Sequence, residues 1–307
     1  MGKIKEFYNE YSFYGKITIS ILLLIFIIYK INLGDVLPVL KKINFLILVP
    51  FLLFVPGICL ISYRFKLVLN KDIKILELVK LSWISAFFNN FLPSSIGGDT
   101  YKLLFLRKKF GNKKIIGTIF LDRIAGLLGM ILVSFIFSFF LLKEINYILL
   151  ILPITLLFFL ILLYLSILYF NTKRFKILSE IKNYIKDSVN KKYIVAIVIS
   201  ILYVIFGGIS LWIYYLMFGV ELSLWIIIAV YSLVQIIQLV PISLNSIGVS
   251  EISYMYLFSL FSVPVEISLS IAIIARVILM IQTSIGGVIY LVVKINEKNI
   301  LYQKGRH

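Results

Sequence analysis

Long apolar segments dominate the chain and alternate with short polar stretches. A helix that crosses a bilayer needs about 20 predominantly apolar residues, because the hydrocarbon core is about 30 Å thick. We therefore predict an all-α polytopic membrane protein with about six full transmembrane helices. The segments that come near or exceed the required length are 17–33, 43–62, 115–142, 145–170, 194–218 and 267–293.

Two further apolar segments are interrupted by polar residues and proline. Residues 78–92 contain Lys80 and stop at Pro93, and residues 222–243 reach Pro241. Broken helices occur at membrane depth where protein or a water-filled cavity covers the irregular backbone. We predict that both segments enter the membrane and return as re-entrant hairpins, giving eight membrane segments in all. Eight full crossings are the alternative.

The distribution of charge decides between these topologies. The chain has 31 Lys and Arg against 14 Asp and Glu, a net charge of +17, and the bases lie mostly between the apolar runs. With hairpins at about 78–110 and 222–262, 24 loop bases share one side and 4 the other, whereas eight crossings give 12 and 16. Because basic loops are retained in the cytoplasm, we predict the hairpins, a plasma-membrane location and two cytoplasmic termini.

The domain organisation and the partners follow from this topology. We predict a cytoplasmic N-terminus over residues 1–16, a single transmembrane domain over 17–293 and a cytoplasmic tail over 294–307. Bases that flank apolar runs indicate contact with anionic lipid headgroups rather than nucleic acid. We therefore predict membrane lipids as partners and no nucleic-acid binding.

The two hairpin tips resemble each other in sequence. Residues 90–99 (the first tip) and 239–251 (the second tip) both contain an apolar-Pro step, then Ser, then Ser-Ile-Gly, then an acid. Each tip precedes a long apolar helix that contains an arginine. The two helices cross in opposite directions in the six-crossing topology. We predict an inverted-topology repeat, an architecture common among transporters, with halves at about 43–142 and 194–293, against the alternative of a chance likeness.

Two arginines inside apolar helices are the strongest functional candidates. Placing Arg123 in lipid would cost at least about 2.5 kcal/mol, so it must face protein, water or an anion. Asp99 is the expected partner of Arg123, and Glu251 that of Arg276. Asp122 is a further ion-pair or gating candidate, but it should point away from Arg123, because i,i+1 neighbours diverge on a helix. The structural alternative is that these are buried ion pairs that only fix the hairpins.

Glycine and asparagine residues at the tips are weaker candidates. Gly97, Gly98 and Gly248 allow tight turns whose N–H groups could hold an anion, although an ordinary loop turn is the alternative. Asn89 and Asn90 could bind headgroup hydroxyls, but capping of a broken helix is favoured over this role.

Basic residues near the first hairpin are expected at the membrane surface. The segment 101–110 is interpreted as an interfacial arm on anionic lipid, rather than a solvated turn. Arg64 and Lys66 are expected to extend to the cytoplasmic headgroups. Most of the tyrosine and phenylalanine residues are assigned to interfacial belts and helix packing.

Several chemistries have no residues to support them. The chain has one cysteine, Cys59, and one histidine, His307. These counts exclude an intrachain disulfide and argue against a zinc site or a Ser-His-Asp triad. The sequence contains neither a phosphate-binding Gly-Lys-Ser/Thr loop nor an Asp-x-Asp motif. We expect no metal, no cofactor and no catalytic residue.

The tip motifs, taken with the arginines, carry a family resemblance. The chain resembles the lysylphosphatidylglycerol synthase transmembrane region, a family of flippase-like membrane proteins, over about residues 15–295. Two-domain members add a soluble aminoacyl-transfer domain after the membrane part, so the resemblance implies the flipping half. The pattern departs at 242–250, where the second tip holds a single glycine. The matching positions are Asn90-x-x-Pro93, Gly97-Gly98-Asp99, Asp122-Arg123-x-x-Gly126, Pro241, Ile247-Gly248, Glu251 and Arg276.

These features favour a lipid translocase or lipid-binding transporter for a phospholipid or a polyprenyl-phosphate-linked lipid. Arg123 and Arg276 would hold the phosphate, and the tips would act as gates. One alternative is a membrane transferase on a lipid-linked substrate, with Asp99 or Glu251 as the base. Another is a non-catalytic subunit that assists a separate glycosyltransferase.

Overall fold

The computed structural model describes residues 44–90, 96–139, 154, 190–240 and 243–304. The predicted spans 17–33 and 145–170, the N-terminus 1–16 and both tip prolines lie outside the described residues. All regular structure within the described residues is helical. The α-helices are α1 (Leu48–Leu69), α2 (Ile75–Asn89), α3 (Ile96–Phe110), α4 (Asn112–Phe139), α5 (Lys191–Met217), α6 (Leu224–Ile237), α7 (Val249–Ser259) and α8 (Val265–Lys304), with 3-10 turns at Phe45–Ile47 and Leu244–Ser246.

Four described helical segments are long and apolar enough to cross a membrane, with mean hydropathy between 2.0 and 2.7. They coincide with four of the six predicted spans, so the prediction of an all-α membrane protein is confirmed for the described residues. Helix α8 continues to Lys304, through much of the segment predicted as a tail. The four segments are Phe45–Leu69, Asn112–Ser138, Lys191–Met217 and Val265–Val293.

The first of these segments ends later than the sequence predicted. We expected it to end at residue 62, with Arg64 at the cytoplasmic headgroups. That placement of Arg64 is wrong: α1 runs to Leu69, and the Arg64 side chain is only 12% exposed, bound to Asp122 of α4. Because Arg64 is paired with Asp122 inside the protein, its charge does not need to reach the headgroups. Helix α1 therefore extends past Arg64 to Leu69. It ends at Asn70, which adopts a left-handed conformation (φ 47°, ψ 48°).

The interrupted segments form short helices. Helix α2 has 15 residues and α6 has 14, fewer than the roughly 20 that one crossing needs. Helices α2 and α3 are antiparallel neighbours. Glu77, in the first turn of α2, forms an ion pair with Lys109, in the last turn of α3 (Oε2–Nζ 3.6 Å). At the opposite end of the pair, Gly98 of α3 packs against Ser85 of α2.

The helices of the two halves pack on each other. Helix α1 lies along α5, α4 packs against α6, and α8 packs against α2. The long helix that follows each short pair therefore contacts the first short helix of the other pair. The largest buried cluster among the described residues joins α5, α6, α7 and α8. Within it, the ring centroids of Tyr215 and Phe258 lie 4.4 Å apart.

One glycine permits the close contact between α8 and α2. A Cβ atom on Gly286 would lie 2.2 Å from the carbonyl oxygen of Trp83. In the same contact, the indole Nε1 of Trp83 donates a hydrogen bond to the carbonyl oxygen of Gln282 at 3.0 Å. The second short helix pair and the first are thus connected through α8.

Candidate functional site

Arg276 holds the second tip in place. It is the twelfth residue of α8, and its Nε donates to Oε1 of Glu251 at 2.5 Å. Nη1 donates to the carbonyl oxygen of Asn245 at 3.1 Å. Nη2 donates to the carbonyl oxygen of Ser246 at 3.3 Å and to the hydroxyl of Ser250. These bonds use most of the guanidinium donors, and the Arg276 side chain is only 19% exposed. Arg276 therefore holds the turn of the second tip in place.

The partner carboxylate organises the same turn. Glu251 is 3% exposed, and its Oε2 accepts from the backbone N–H of Gly248 at 2.7 Å and from the hydroxyl of Ser250 at 2.9 Å. Glu251, at the third position of α7, thus caps the first turn of the helix by accepting from the N–H of Gly248. The left-handed backbone at Asn245 (φ 44°), Ser246 (φ 56°) and Gly248 (φ 83°) makes the tight turn. The N–H of Gly248, considered above for an external anion, is used within the protein.

The second predicted pair forms at the start of α3. Arg123 is the twelfth residue of α4, and its Nε and Nη2 both lie 2.5 Å from Oδ2 of Asp99. The structure thus brings together Asp99 with Arg123, as it does Glu251 with Arg276. The two pairs differ in accessibility, since the Arg123 side chain is 39% exposed and that of Asp99 is 23% exposed. Arg123 is therefore the more accessible of the two arginines.

Asn89 and the paired glycines of the first tip serve local structure. The N–H of Gly98 donates to Oδ1 of Asn89 at 2.7 Å, so Asn89 caps α3, which is the role favoured above. A Cβ atom on Gly98 would lie 2.5 Å from the carbonyl oxygen of Ser85. Gly97 is buried beside it. The need for close helix packing accounts for Gly98.

Asn90 links the two tips directly. Its Nδ2 donates to Oγ1 of Thr283 in α8 at 2.7 Å. Its Oδ1 accepts from Nδ2 of Asn245, in the second tip, at 3.5 Å. The backbone carbonyl of that same Asn245 binds Arg276. A chain of polar contacts therefore runs from the first tip to the arginine of the second.

A third ion pair was missed by the sequence analysis. Nε and Nη2 of Arg64 donate to Oδ1 and Oδ2 of Asp122 at 2.7 and 2.9 Å. Nη1 also donates to the hydroxyl of Ser200 at 3.2 Å, which joins α1, α4 and α5. Asp122 does point away from its neighbour Arg123, as expected. No local signal could show that its partner lay 58 residues earlier.

A cavity of about 230 Å³ lies between α1, α5, α6, α7 and α8. Arg276 and Asn245 stand on its wall, whereas Arg123, Asp99 and Asn90 do not line it. Within the described residues, Arg276 is the only charged residue in the lining, and the carboxylate of Glu251 balances its charge. The remaining polar groups are amides and hydroxyls: Gln235, Gln238, Gln282, Tyr203, Tyr214, Tyr231, Tyr254, Ser210 and Ser250.

The cavity wall is fixed by side-chain contacts to backbone. Nε2 of Gln282 donates to the carbonyl oxygens of Pro50 and Phe51, each at 3.2 Å, and ties α8 to α1. The sequence analysis did not identify the tyrosines of this wall as functional residues, because it assigned most tyrosines to interfacial belts and packing. Over the ranges that the structure describes, no three His, Cys, Asp or Glu residues are placed to hold a metal ion.

The fold and the cavity define a polytopic, all-helical membrane protein with polar groups inside its helix bundle. The chain belongs to the family of the lysylphosphatidylglycerol synthase transmembrane region, whose model matches residues 14–287. The family resemblance seen in the tip motifs is therefore confirmed. No curated protein and no solved structure matches the chain. Membership indicates a membrane protein that acts on lipids.

Proposed function

We propose that this protein is a lipid translocase or lipid-binding transporter for a phospholipid or a polyprenyl-phosphate-linked lipid of the plasma membrane. The observation that carries the proposal is the cavity beside Arg276, inside a bundle of apolar helices. Polar and ionisable groups at membrane depth are costly and mark substrate pathways. A cavity that is apolar in part and polar in part suits a lipid headgroup with the first part of its chains.

The role proposed for Arg276 is to bind the lipid phosphate. Arginine donates two parallel hydrogen bonds to phosphate oxygens, which gives both strength and orientation. Glu251 and Ser250 accept hydrogen bonds from those donors, so an incoming phosphate competes with them. The more exposed Arg123 supplies a second phosphate contact outside the cavity.

Helix packing supports the proposal of two re-entrant hairpins. Ile73, just after α1, and Ile115, near the start of α4, belong to one buried apolar cluster, so the chain enters and leaves the α2–α3 pair at one place. Nζ of Lys192, at the start of α5, donates to Oδ1 of Asn70 at 2.7 Å. The basic end of α5 is therefore close to the same place, which fits a cytoplasmic surface and cytoplasmic termini.

The exchanged contacts of α4 with α6 and of α8 with α2 support an inverted repeat. In transporters of that kind the binding site lies near the midplane between the repeats, and one part rocks against the other. The proposed mechanism is opening of the tips around a bound headgroup. It involves no covalent step, so we propose a non-enzymatic function.

Reconstituted lipid exchange tests the proposal. The purified protein is placed in liposomes with fluorescent phospholipid, and dithionite quenching measures how much lipid reaches the outer leaflet. The wild type should expose the inner-leaflet lipid, and Arg276→Gln should slow exchange at least about tenfold, as expected for loss of a charge-assisted contact. Lys191→Gln, which removes an exposed cation at the start of α5, is the control and should leave the rate unchanged. Wild-type vesicles that behave as protein-free vesicles would overturn the proposal.

A further inference from the structure

We propose that the cavity recognises an uncharged polyhydroxyl group, such as a sugar ring or a polyol, carried next to a single phosphate. This inference rests on the lipid-binding function proposed above and names the headgroup class for the same site. It follows from the charge, the hydrogen-bonding groups and the size of the cavity. Each of these restricts the chemistry that the cavity can accept.

The charges of the described cavity wall argue against lipid headgroups that carry several charges. Among the described lining residues Arg276 carries the one formal charge, and Glu251 pairs with it at 2.5 Å. One phosphate can be accommodated by competing for this arginine. A second phosphate would have no further cation in the described wall. A cationic amino headgroup would meet no acid in the described wall, because Glu251 is 3% exposed and is held at the second tip by the N–H of Gly248 and the hydroxyl of Ser250, and unpaired charges are expensive in such a place.

The hydrogen-bonding groups match hydroxyls. Glutamine amides and tyrosine hydroxyls both donate and accept, as sugar and polyol hydroxyls do. The lining presents three glutamines and four tyrosines. Of these, Gln238 directly follows α6 and Tyr254 lies on α7, and both are close in sequence to the second tip. Phe54 and Phe206 add aromatic surface, against which the C–H face of a sugar ring can pack.

The size of the cavity limits the group to one ring. Pockets for drug-sized ligands have volumes of roughly 300–1,000 Å³, and this cavity has about 230 Å³. A single monosaccharide or inositol fits that space. Most of the acyl or prenyl chain of the same molecule must then lie outside, between the helices.

A competition experiment in nanodiscs tests this assignment. The wild-type protein binds a fluorescent phospholipid, which is displaced by phosphatidylinositol, phosphatidic acid or lysylphosphatidylglycerol. Each of these lipids has one phosphate. Phosphatidylinositol adds a polyol to it, phosphatidic acid adds nothing, and lysylphosphatidylglycerol adds a cationic amino acid. We expect phosphatidylinositol to compete at least about tenfold better than the other two. Soluble inositol 1-phosphate, added in a separate arm, distinguishes a free polyol phosphate from a lipid headgroup.

Conservative variants locate the recognition in the cavity. Tyr254→Phe and Gln238→Leu should each weaken phosphatidylinositol about fivefold to tenfold, as loss of one or two hydrogen bonds predicts, and leave phosphatidic acid unchanged. Tyr256→Phe, on the same helix but 53% exposed and outside the cavity, is the matched control. It should change neither affinity.

The outcomes separate this inference from the proposed function. Equal affinity for all three lipids, or preference for the cationic one, overturns the headgroup assignment while lipid binding stands. Preference for phosphatidylinositol that survives both cavity variants also overturns it. Binding of inositol 1-phosphate as tight as the lipid supports the recognition chemistry and contradicts the lipid translocase. Absence of binding by any lipid overturns both.

Discussion

Arg64 of α1 and Asp122 of α4 form a two-point ion pair, with Nε–Oδ1 at 2.7 Å and Nη2–Oδ2 at 2.9 Å. Both side chains are nearly buried, at 12% and 10% exposure. Asp122 is adjacent to Arg123 in sequence, but its side chain points away from it, and the Arg64–Asp122 pair joins three helices through Ser200. Its geometry and burial indicate that it holds the bundle together rather than binding lipid.

The first prediction concerns this pair. Arg64→Gln or Asp122→Asn strands one buried charge, which should lower stability by about 3–5 kcal/mol. The double variant should be more stable than either single one. Thermal unfolding in detergent measures this. Lys109→Gln is the control, because its ion pair with Glu77 is exposed at 51% and 33% and should contribute under about 1 kcal/mol. Equal, small losses in all variants would show that the Arg64 pair has no structural role.

The second prediction separates the two tip pairs by double-mutant cycles. Asp99→Asn with Arg123→Gln, and Glu251→Gln with Arg276→Gln, should each be more stable than the single variants. The coupling energy should be larger for the second pair, because the side chain of Glu251 is 5% exposed and that of Asp99 is 23% exposed. Strictly additive losses for both pairs would show that the side chains do not interact in the folded protein.

The third prediction concerns the contact between α8 and α2. Gly286→Ala places a methyl group against the backbone of Trp83, with 2.2 Å between the new Cβ and its carbonyl oxygen. Overpacking of this kind costs about 1–3 kcal/mol. Gly57→Ala is the control, since the nearest atom to its Cβ is a Tyr203 ring carbon at 3.6 Å. Unfolding in detergent should separate the two variants, and equal midpoints would contradict the close approach.

The fourth prediction is topological. In a Cys59→Ser background, single cysteines at Lys71 and Lys113 should both react with a membrane-impermeant maleimide from the cytoplasmic side. The reason is that the α2–α3 hairpin returns to the side it entered. A cysteine at Glu221, in the exposed loop before α6, should react from the other side. Labelling of the first two positions from opposite sides would restore eight full crossings.

Much of the described fold was predictable from hydropathy. Long apolar runs fixed the positions of α4, α5 and α8, because only helices satisfy the backbone in lipid. The partners of Arg123 and Arg276 were also predictable, since a charge in an apolar helix needs an acid and each tip offers one. The separations of 24 and 25 residues match in both halves.

Contacts between distant segments were not predictable. Arg64 and Asp122 are 58 residues apart, and Trp83 and Gln282 are 199 apart. In neither pair does the sequence around one residue indicate which distant residue it contacts. The cavity lining comes from five helices, and each contributes ordinary tyrosine, glutamine or small residues. Only packing of the helices assembles these into one surface.

In the proposed mechanism, lipid passes the cavity when the two tips separate. Asn90 and Asn245 are the residues that join the tips, with Oδ1 and Nδ2 at 3.5 Å. Their side chains meet end to end, so Asn90→Cys with Asn245→Cys, in the Cys59→Ser background, can be joined by a short bis-methanethiosulfonate cross-linker. The two single-cysteine variants, treated with the same cross-linker, are the controls.

The deciding measurement is the rate at which albumin extracts fluorescent lipid from proteoliposomes that contain the locked protein. We predict that cross-linking stops exchange of the inner-leaflet lipid and that dithiothreitol restores it, while the single-cysteine controls exchange throughout. Exchange at the unlocked rate in fully cross-linked protein would contradict the proposal that the tips gate the lipid path.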